Sequence, residues 1–396
     1  MPIQVVINWG VSSFYGWGVY GLNLALAWAA DPQVEAACAM PILADEFVVD
    51  PLRRAALAAF GRRSASLQAQ LVARPPGEAK LAAAVLDGLH QSFEPVHTRP
   101  DTPLVGQPSL GVTFFQDTQL APEAVERARR YPAVVAGSTW NARLLQAHGL
   151  SNVRTILQGI DPALFHPAPR LGLFPDRFVV FSGGKLERRK GQDIVMAAFA
   201  RFAQARPDAL LAAAWHSPWP AEARTLEQGG VAAALPFDAE GRVDVAAWAA
   251  ACGVPARQFL DLGAIPNLQL APVLREMDVA VFPNRGEGGT NLVAMECMAC
   301  GVPAILSRNT GHLDLIQPDN SYTLDRQASL EGLEGPMGDV EGWGESDVDE
   351  VVARLEQAYE DRAEARARGL RGAQTLARLT WAGTAGRMKA LIDELR

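Results

Sequence analysis

Short apolar runs recur along the chain, each closed by glycine or polar turn residues and followed by a helical pattern. Val5-Val6-Ile7 leads into Asn8-Trp9-Gly10. A loop rich in glycine and aromatics follows from Phe14 to Gly21, and then Leu22-Asn23-Leu24-Ala25-Leu26-Ala27-Trp28, which suits a buried helix. Residues 51–90, rich in alanine and leucine with interspersed arginines, read as helical. The apolar runs Leu110–Phe115 and Ala133–Ala136 repeat the alternation, which predicts a parallel, doubly wound sheet. Residues 162–177 then break the pattern. Pro162, Pro167, Pro169 and Pro175 fall there, with Gly172 between, a density that disfavours helix and central strand. A second series opens at Phe178-Val179-Val180-Phe181 and continues through Ala209–Trp215, Val279–Phe282 and Pro303–Leu306, with helices from about residue 347 onward. Two Rossmann-like α/β domains are expected, residues 1–169 and 170–379, joined near residue 170.

Composition bounds the function. Hydrophobic residues make up 49% and charged residues 20% of the 396, enough to bury a sizeable core. The charge sum of −8 argues against a nucleic-acid partner, since neutralising a phosphate polymer needs a basic surface. It leaves room for a local basic pocket that takes a phosphorylated small molecule. Cys38, Cys252, Cys297 and Cys300 are too few for a disulfide framework. Cys297-x-x-Cys300 lies in an apolar helical pattern with no second such pair, so it reads as two core residues and no metal site is expected. The run Met1–Ile7 lacks a basic segment and is too short for a secretory signal. No stretch of about 20 apolar residues is free of breakers. A cytoplasmic protein is expected, with peripheral membrane contact left open.

Three loops of the second half carry chemistry. The first, Ser182-Gly183-Gly184-Lys185-Leu186-Glu187-Arg188-Arg189-Lys190-Gly191, follows a strand and precedes a helix over Asp193–Phe202. Its glycines let a ligand approach the backbone, and Lys185 and Lys190 add cations near a helix N-terminus, which suits a diphosphate. Taken alone, Lys185, Arg188, Arg189 and Lys190 read equally well as a solvated basic loop. The second loop, Asn284 to Asn291, opens a helix at Leu292 and offers free N–H groups along Gly288-Gly289-Thr290-Asn291. Glu296 follows among Ala294, Met295, Cys297, Met298 and Ala299; a carboxylate on so apolar a face needs a partner, and a ribose diol is one. The third loop is Asn309-Thr310-Gly311-His312-Leu313-Asp314. All three would meet at the carboxyl ends of one parallel sheet, where ligands bind in open α/β folds.

At these residues the sequence resembles glycosyltransferase family 4, the retaining nucleotide-sugar glycosyltransferases of the GT-B fold. The resemblance covers most of the chain. It rests on Gly184-Lys185-Leu186 followed by Lys190-Gly191, and on Glu296-Cys297-Met298-Ala299-Cys300-Gly301-Val302-Pro303. It rests also on Ala136-Gly137-Ser138-Thr139-Trp140, Gly149-Leu150 and Gly159-Ile160-Asp161 with Phe165 and Pro167. It implies two Rossmann-like domains facing across a cleft, with the last helix, about 380–396, crossing back onto the first. It implies a nucleoside-diphosphate-sugar donor, no resident metal or other cofactor, and retention of anomeric configuration by a front-face route. Base and sugar stay open, as do oligomeric state and the acceptor, whether glycan, lipid, small molecule or protein.

The resemblance also implies roles. Lys185 and Lys190 would hold the diphosphate, with Gly184 beside them. Gly289, Thr290 and Asn291 would turn backbone N–H groups to phosphate or sugar, next to Leu292. Glu296 would hold the ribose, Glu287 would contact the donor sugar, and the Gly16-Trp17-Gly18 loop would lie across the cleft. Two departures stand out. The family's paired glutamates are separated by seven residues, whereas Glu287 and Glu296 are separated by eight, so either Glu287 is displaced or Gly288 fills its slot. Where many members carry a histidine after the strand ending at Phe115, this chain has Gln116-Asp117. Asp117 is a candidate polar catalytic group or a turn residue. That departure keeps a nucleotide-binding GT-B protein without transferase activity in view; a nucleotide-sugar epimerase is a further alternative from the same fold.

His90, His97, His148, His166 and His216 have no metal-ligand spacing and are expected in loops or at the surface; His312 is placed at the site. Trp9 and Trp17 are expected to line the acceptor pocket, and Trp28, Trp215, Trp248 and Trp381 to pack.

Overall fold

The computed structural model describes residues 2–96, 102–217, 220–330 and 340–396; His97 lies outside them. Two six-stranded parallel sheets organise the chain. The first contains β1 (Ile3–Asn8), β2 (Val34–Cys38), β3 (Ala84–Gly88), β4 (Ser109–Thr113), β5 (Ala133–Ala136) and β6 (Val153–Thr155), in spatial order β2-β1-β3-β4-β5-β6. The second contains β7 (Phe178–Gly183), β8 (Ala209–Ala214), β9 (Phe259–Asp261), β10 (Val279–Phe282), β11 (Ala304–Ser307) and β12 (Tyr322–Leu324), in order β9-β8-β7-β10-β11-β12. The chain reverses direction across each sheet beside its first strand, between β1 and β3 and between β7 and β10. Such switch points open a crevice at the carboxyl ends of the strands. Residues 161–177 form no helix or strand; Asp161 at their start pairs with Arg53 at 2.7 Å, and residues 170–173 are tied to the second sheet's side. The Glu276 carboxylate accepts from the N–H groups of Leu171, Gly172 and Leu173, and Arg170 pairs with Asp278 at 2.7 Å.

Two local expectations need correction. Within 51–90 the helical reading holds for Pro51–Ala56 and Ala58–Ala73, but Ala84–Gly88 is the strand β3. Every residue of β3 is buried, so it shows no alternation, and a doubly covered strand reads like a buried helix. Gly16-Trp17-Gly18 is not a loop either; it is the first turn of helix α1 (Gly16–Ala29). A Cβ on Gly18 would come within 2.4 Å of the Ser12 Cβ, so glycine is what lets the helix start this close to the end of β1.

The helices that frame the site are α2 (Gln192–Ala205), α3 (Asn267–Arg275) and α4 (Leu292–Ala299). The last helix, α5 (Trp381–Leu395), packs on α1. The Trp28 indole donates to the Ala385 carbonyl at 3.3 Å, and the Tyr20 and Trp381 rings lie 5.5 Å apart.

Loops that follow strands of the two sheets touch one another. Ser138 Oγ donates to the Gly288 carbonyl at 2.7 Å, and Thr290 Oγ1 donates to Gln158 Oε1 at 3.2 Å. Thr139 N donates to Asp314 Oδ2 at 2.7 Å, and Asn267 N donates to the Ser13 carbonyl at 2.7 Å.

Candidate active site

The basic loop leaves β7 through Gly184, whose φ of 132° is open to glycine alone. Residues Arg188–Lys190 form one 3-10 turn, closed by Gly191 at φ 71° against the end of β10, where a Cβ would lie 2.3 Å from the Pro283 carbonyl oxygen. The loop is not solvated. Arg189 is 5% exposed and Glu187 8%. Lys185 Nζ lies 2.7 Å from Glu187 Oε2 and also pairs with Glu222. Arg189 pairs with Glu187 through Nε and with Glu287 Oε2 through Nη1 at 2.7 Å. Lys190 Nζ reaches Glu287 Oε1 at 2.5 Å.

A buried ion pair fixes the facing loop. Arg285 makes a bidentate pair with Asp193 of α2, both bonds 2.8 Å, and donates to Glu345 at 2.7 Å. Thr310 Oγ1 accepts from the Glu287 N–H at 2.7 Å, and Asn284 donates to the Glu287 carboxylate. Glu287 therefore meets Lys190, while Gly288 turns its carbonyl to the first domain. A Cβ on Gly288 would lie 2.3 Å from the Phe115 carbonyl oxygen, so no side chain fits there. Asn291, between Glu287 and Glu296, adopts φ 61° and caps α4. Burial alone would raise the Glu287 carboxyl, but Lys190 and Arg189 outweigh it and hold it below the usual range. Burial pulls the Lys190 ammonium down. Burial likewise opposes ionisation of Glu187, yet Arg189 and then Lys185 bring that carboxyl to about 2.

Among the described residues Glu296 on α4 has no cationic partner, and burial pushes its carboxyl up to about 8 despite a hydrogen bond from Asn267. His312 is fully enclosed and held down at about 4 by burial, hence neutral. Its Nε2 accepts from Asn291 Nδ2 at 3.1 Å and its Nδ1 faces the Ser307 carbonyl at 3.2 Å, so it orients Asn291 from behind. Thr290 is held by Gln158, and Leu292 packs against the apolar clusters of both domains. Cys297 and Cys300 are free and buried in an apolar cluster. Among the described residues no group of three or more His, Cys, Asp or Glu side chains is arranged to hold a metal ion.

The structure brings Lys185, Lys190, Glu287 and the 288–292 turn together, with Gly184 at the mouth of the basic loop. Asp117 Oδ1 accepts from the Gln119 N–H at 3.1 Å. Trp9 is fully buried and belongs to the first core, so it does not line an acceptor pocket. Trp17 packs its ring 4.8 Å from Phe114 and 5.4 Å from Trp9. Sequence reading missed Arg189 as a bridging group, Asn267 and Gln158 as partners, and the Arg285–Asp193 pair. None of these has a local motif; apart from Glu187, two residues from Arg189, each partner is remote in sequence.

A family model described as Family 4 Glycosyltransferase in conflict systems matches residues 141–388, more than half of the chain. The chain belongs to this glycosyltransferase family. It is 31% identical over 159 residues to the D-inositol 3-phosphate glycosyltransferase of Segniliparus rotundus, covering 39% of this chain and 31% of that one. It is 27% identical over 206 residues to the GDP-mannose-dependent alpha-(1-6)-phosphatidylinositol dimannoside mannosyltransferase of Mycobacterium tuberculosis, covering 50% and 47%. The chain thus spans less than half the length of either curated relative. Sucrose-phosphate synthase from Thermosynechococcus elongatus superposes with a TM-score of 0.66 at 17% identity, over 99% of each chain, which establishes the shared GT-B fold. Among the described residues of this family-4 glycosyltransferase, no helix is long and apolar enough to cross a membrane.

Proposed function

We propose that this family-4 glycosyltransferase moves a hexosyl unit from a nucleoside-diphosphate sugar to an acceptor hydroxyl, with retention of configuration. The observation that carries the reading is the meeting of Lys190 and Glu287, at 2.5 Å, over the switch point of the second sheet. In this reading the two lysines bind the diphosphate and stabilise the charge that grows on it as the bond from the sugar's anomeric carbon to phosphate oxygen breaks. The acceptor oxygen bonds to that carbon from the same face, and its proton passes to the departing phosphate oxygen. Glu296 takes the ribose hydroxyls. Gly289 and Asn291 present backbone N–H groups at the start of α4, where the helix dipole favours an anion, whereas the Thr290 N–H donates to Gln158 Oε1 at 3.4 Å. The GDP-mannose dependence of the mycobacterial relative supports a donor of this class.

The test is release of nucleoside diphosphate from UDP-, GDP- and ADP-sugars by the wild-type protein and by Lys190→Ala and Glu296→Ala. Turnover of one donor by wild type, with both variants at least about a hundredfold slower, is expected. Equal turnover by all three proteins would refute the site. Binding of nucleotide without transfer or hydrolysis would favour a protein that binds without catalysing.

A further inference from the structure

Each lysine assigned to the diphosphate is occupied by a carboxylate: Lys185 by Glu187 and Glu222, Lys190 by Glu287. A diphosphate can be bound only if both ammonium groups leave these partners, at least in part. Glu222 is half exposed and can be solvated when Lys185 turns away. Glu187 and Glu287 are buried, and a buried carboxylate deprived of its cation is strongly disfavoured. One residue touches both. Arg189 is buried, donates through Nε to Glu187 and through Nη1 to Glu287 Oε2 at 2.7 Å, and anchors the same Nη1 on the Gly286 carbonyl at 3.2 Å.

We propose that Arg189 is the standing counter-ion of the donor site, a positioning residue that keeps Glu187 and Glu287 neutralised while Lys185 and Lys190 turn to the diphosphate. The inference rests on the donor-site reading above. Geometry supports the division of labour. Arg189 and Lys190 approach different oxygens of Glu287, Oε2 and Oε1, so Lys190 can leave without disturbing the Arg189 bond. Asn284 still donates to the oxygen that Lys190 vacates. A guanidinium suits the post because its planar fork of donors serves two carboxylates at once and it does not deprotonate. Without it, each carboxylate would grip its lysine and compete with the ligand.

The experiment is calorimetric titration of UDP, GDP and ADP into wild type, Arg189→Gln, Glu287→Gln and the double variant. Wild type is expected to bind one diphosphate, and Arg189→Gln to bind it at least about tenfold more weakly because Lys190 stays on Glu287. In the Glu287→Gln background the same arginine change is expected to cost clearly less than in wild type, since only Glu187 is then left to compete, and only for Lys185. That background also removes one of the two buried carboxylates that Arg189→Gln deprives of their arginine, and Glu187 keeps Lys185, so the double variant serves if Arg189→Gln alone does not fold. A purely structural arginine would weaken binding equally in both backgrounds, and that result overturns the proposal, as does wild-type affinity in Arg189→Gln. Failure of wild type to bind any diphosphate overturns the donor-site reading itself.

Discussion

Asn267 Nδ2 lies 2.5 Å from Glu296 Oε1, while the backbone N–H of the same asparagine donates to the Ser13 carbonyl of the first domain at 2.7 Å. The group assigned to the ribose is thus one residue away from the contact between domains. Nucleotide binding and the seating of the first domain share this asparagine.

Glu296 makes stability pH-dependent. Its carboxyl sits at about 8 in the fold against an ordinary 4.5, because burial disfavours the charge. The folded form keeps the proton longer than the unfolded form, so its contribution is fully present below the unfolded value and is lost as pH rises toward the folded one. Urea unfolding should show wild type losing up to about 4 kcal/mol relative to Glu296→Gln between about pH 5 and about pH 8. A constant gap between the two proteins would show that Glu296 is not held protonated.

Gly288 leaves no room for a methyl group. A Cβ there would lie 2.3 Å from the Phe115 carbonyl oxygen and 2.4 Å from that of Phe114, and backbone cannot swing aside. Gly288→Ala is expected to push the domains apart, lose the Ser138 bond to the Gly288 carbonyl, and cost about 1–3 kcal/mol. Thermal unfolding checks this, and an unchanged midpoint would contradict the tight contact.

Arg285 and Asp193 hold the carboxylate loop onto α2 with neither side chain exposed beyond 1%. Arg285→Met strands a buried carboxylate and should cost about 3–5 kcal/mol, whereas adding Asp193→Leu should recover much of that loss. Denaturant unfolding of the single and double variants measures the coupling.

The two α/β series were legible because buried parallel strands leave short β-branched runs and the turns between them carry glycine. Ala84–Gly88 was misread since all its residues are buried and its apolar run carries no period. Gly16-Trp17-Gly18 was misread because glycines signal a loop, yet here they allow a helix to begin against Ser12. At the site, Lys185, Lys190, Glu287 and Glu296 stand in motifs. Arg189 looked like one more basic loop residue, because its second partner lies 98 residues away and only the fold brings it near. Trp9 shows the converse: a residue type suited to a site, placed beside one in sequence, was drawn into core packing.

The central claim is that Lys190 and its neighbours hold a nucleoside diphosphate. Thermal unfolding of wild type and Lys190→Ala, with UDP-, GDP- and ADP-sugars at rising concentration, tests it most directly. Wild type should gain stability with one donor, about 2.7 kcal/mol at a hundredfold excess over Kd, and Lys190→Ala should need far more ligand for the same gain. No gain with any donor, or an equal gain in both proteins, would contradict the claim.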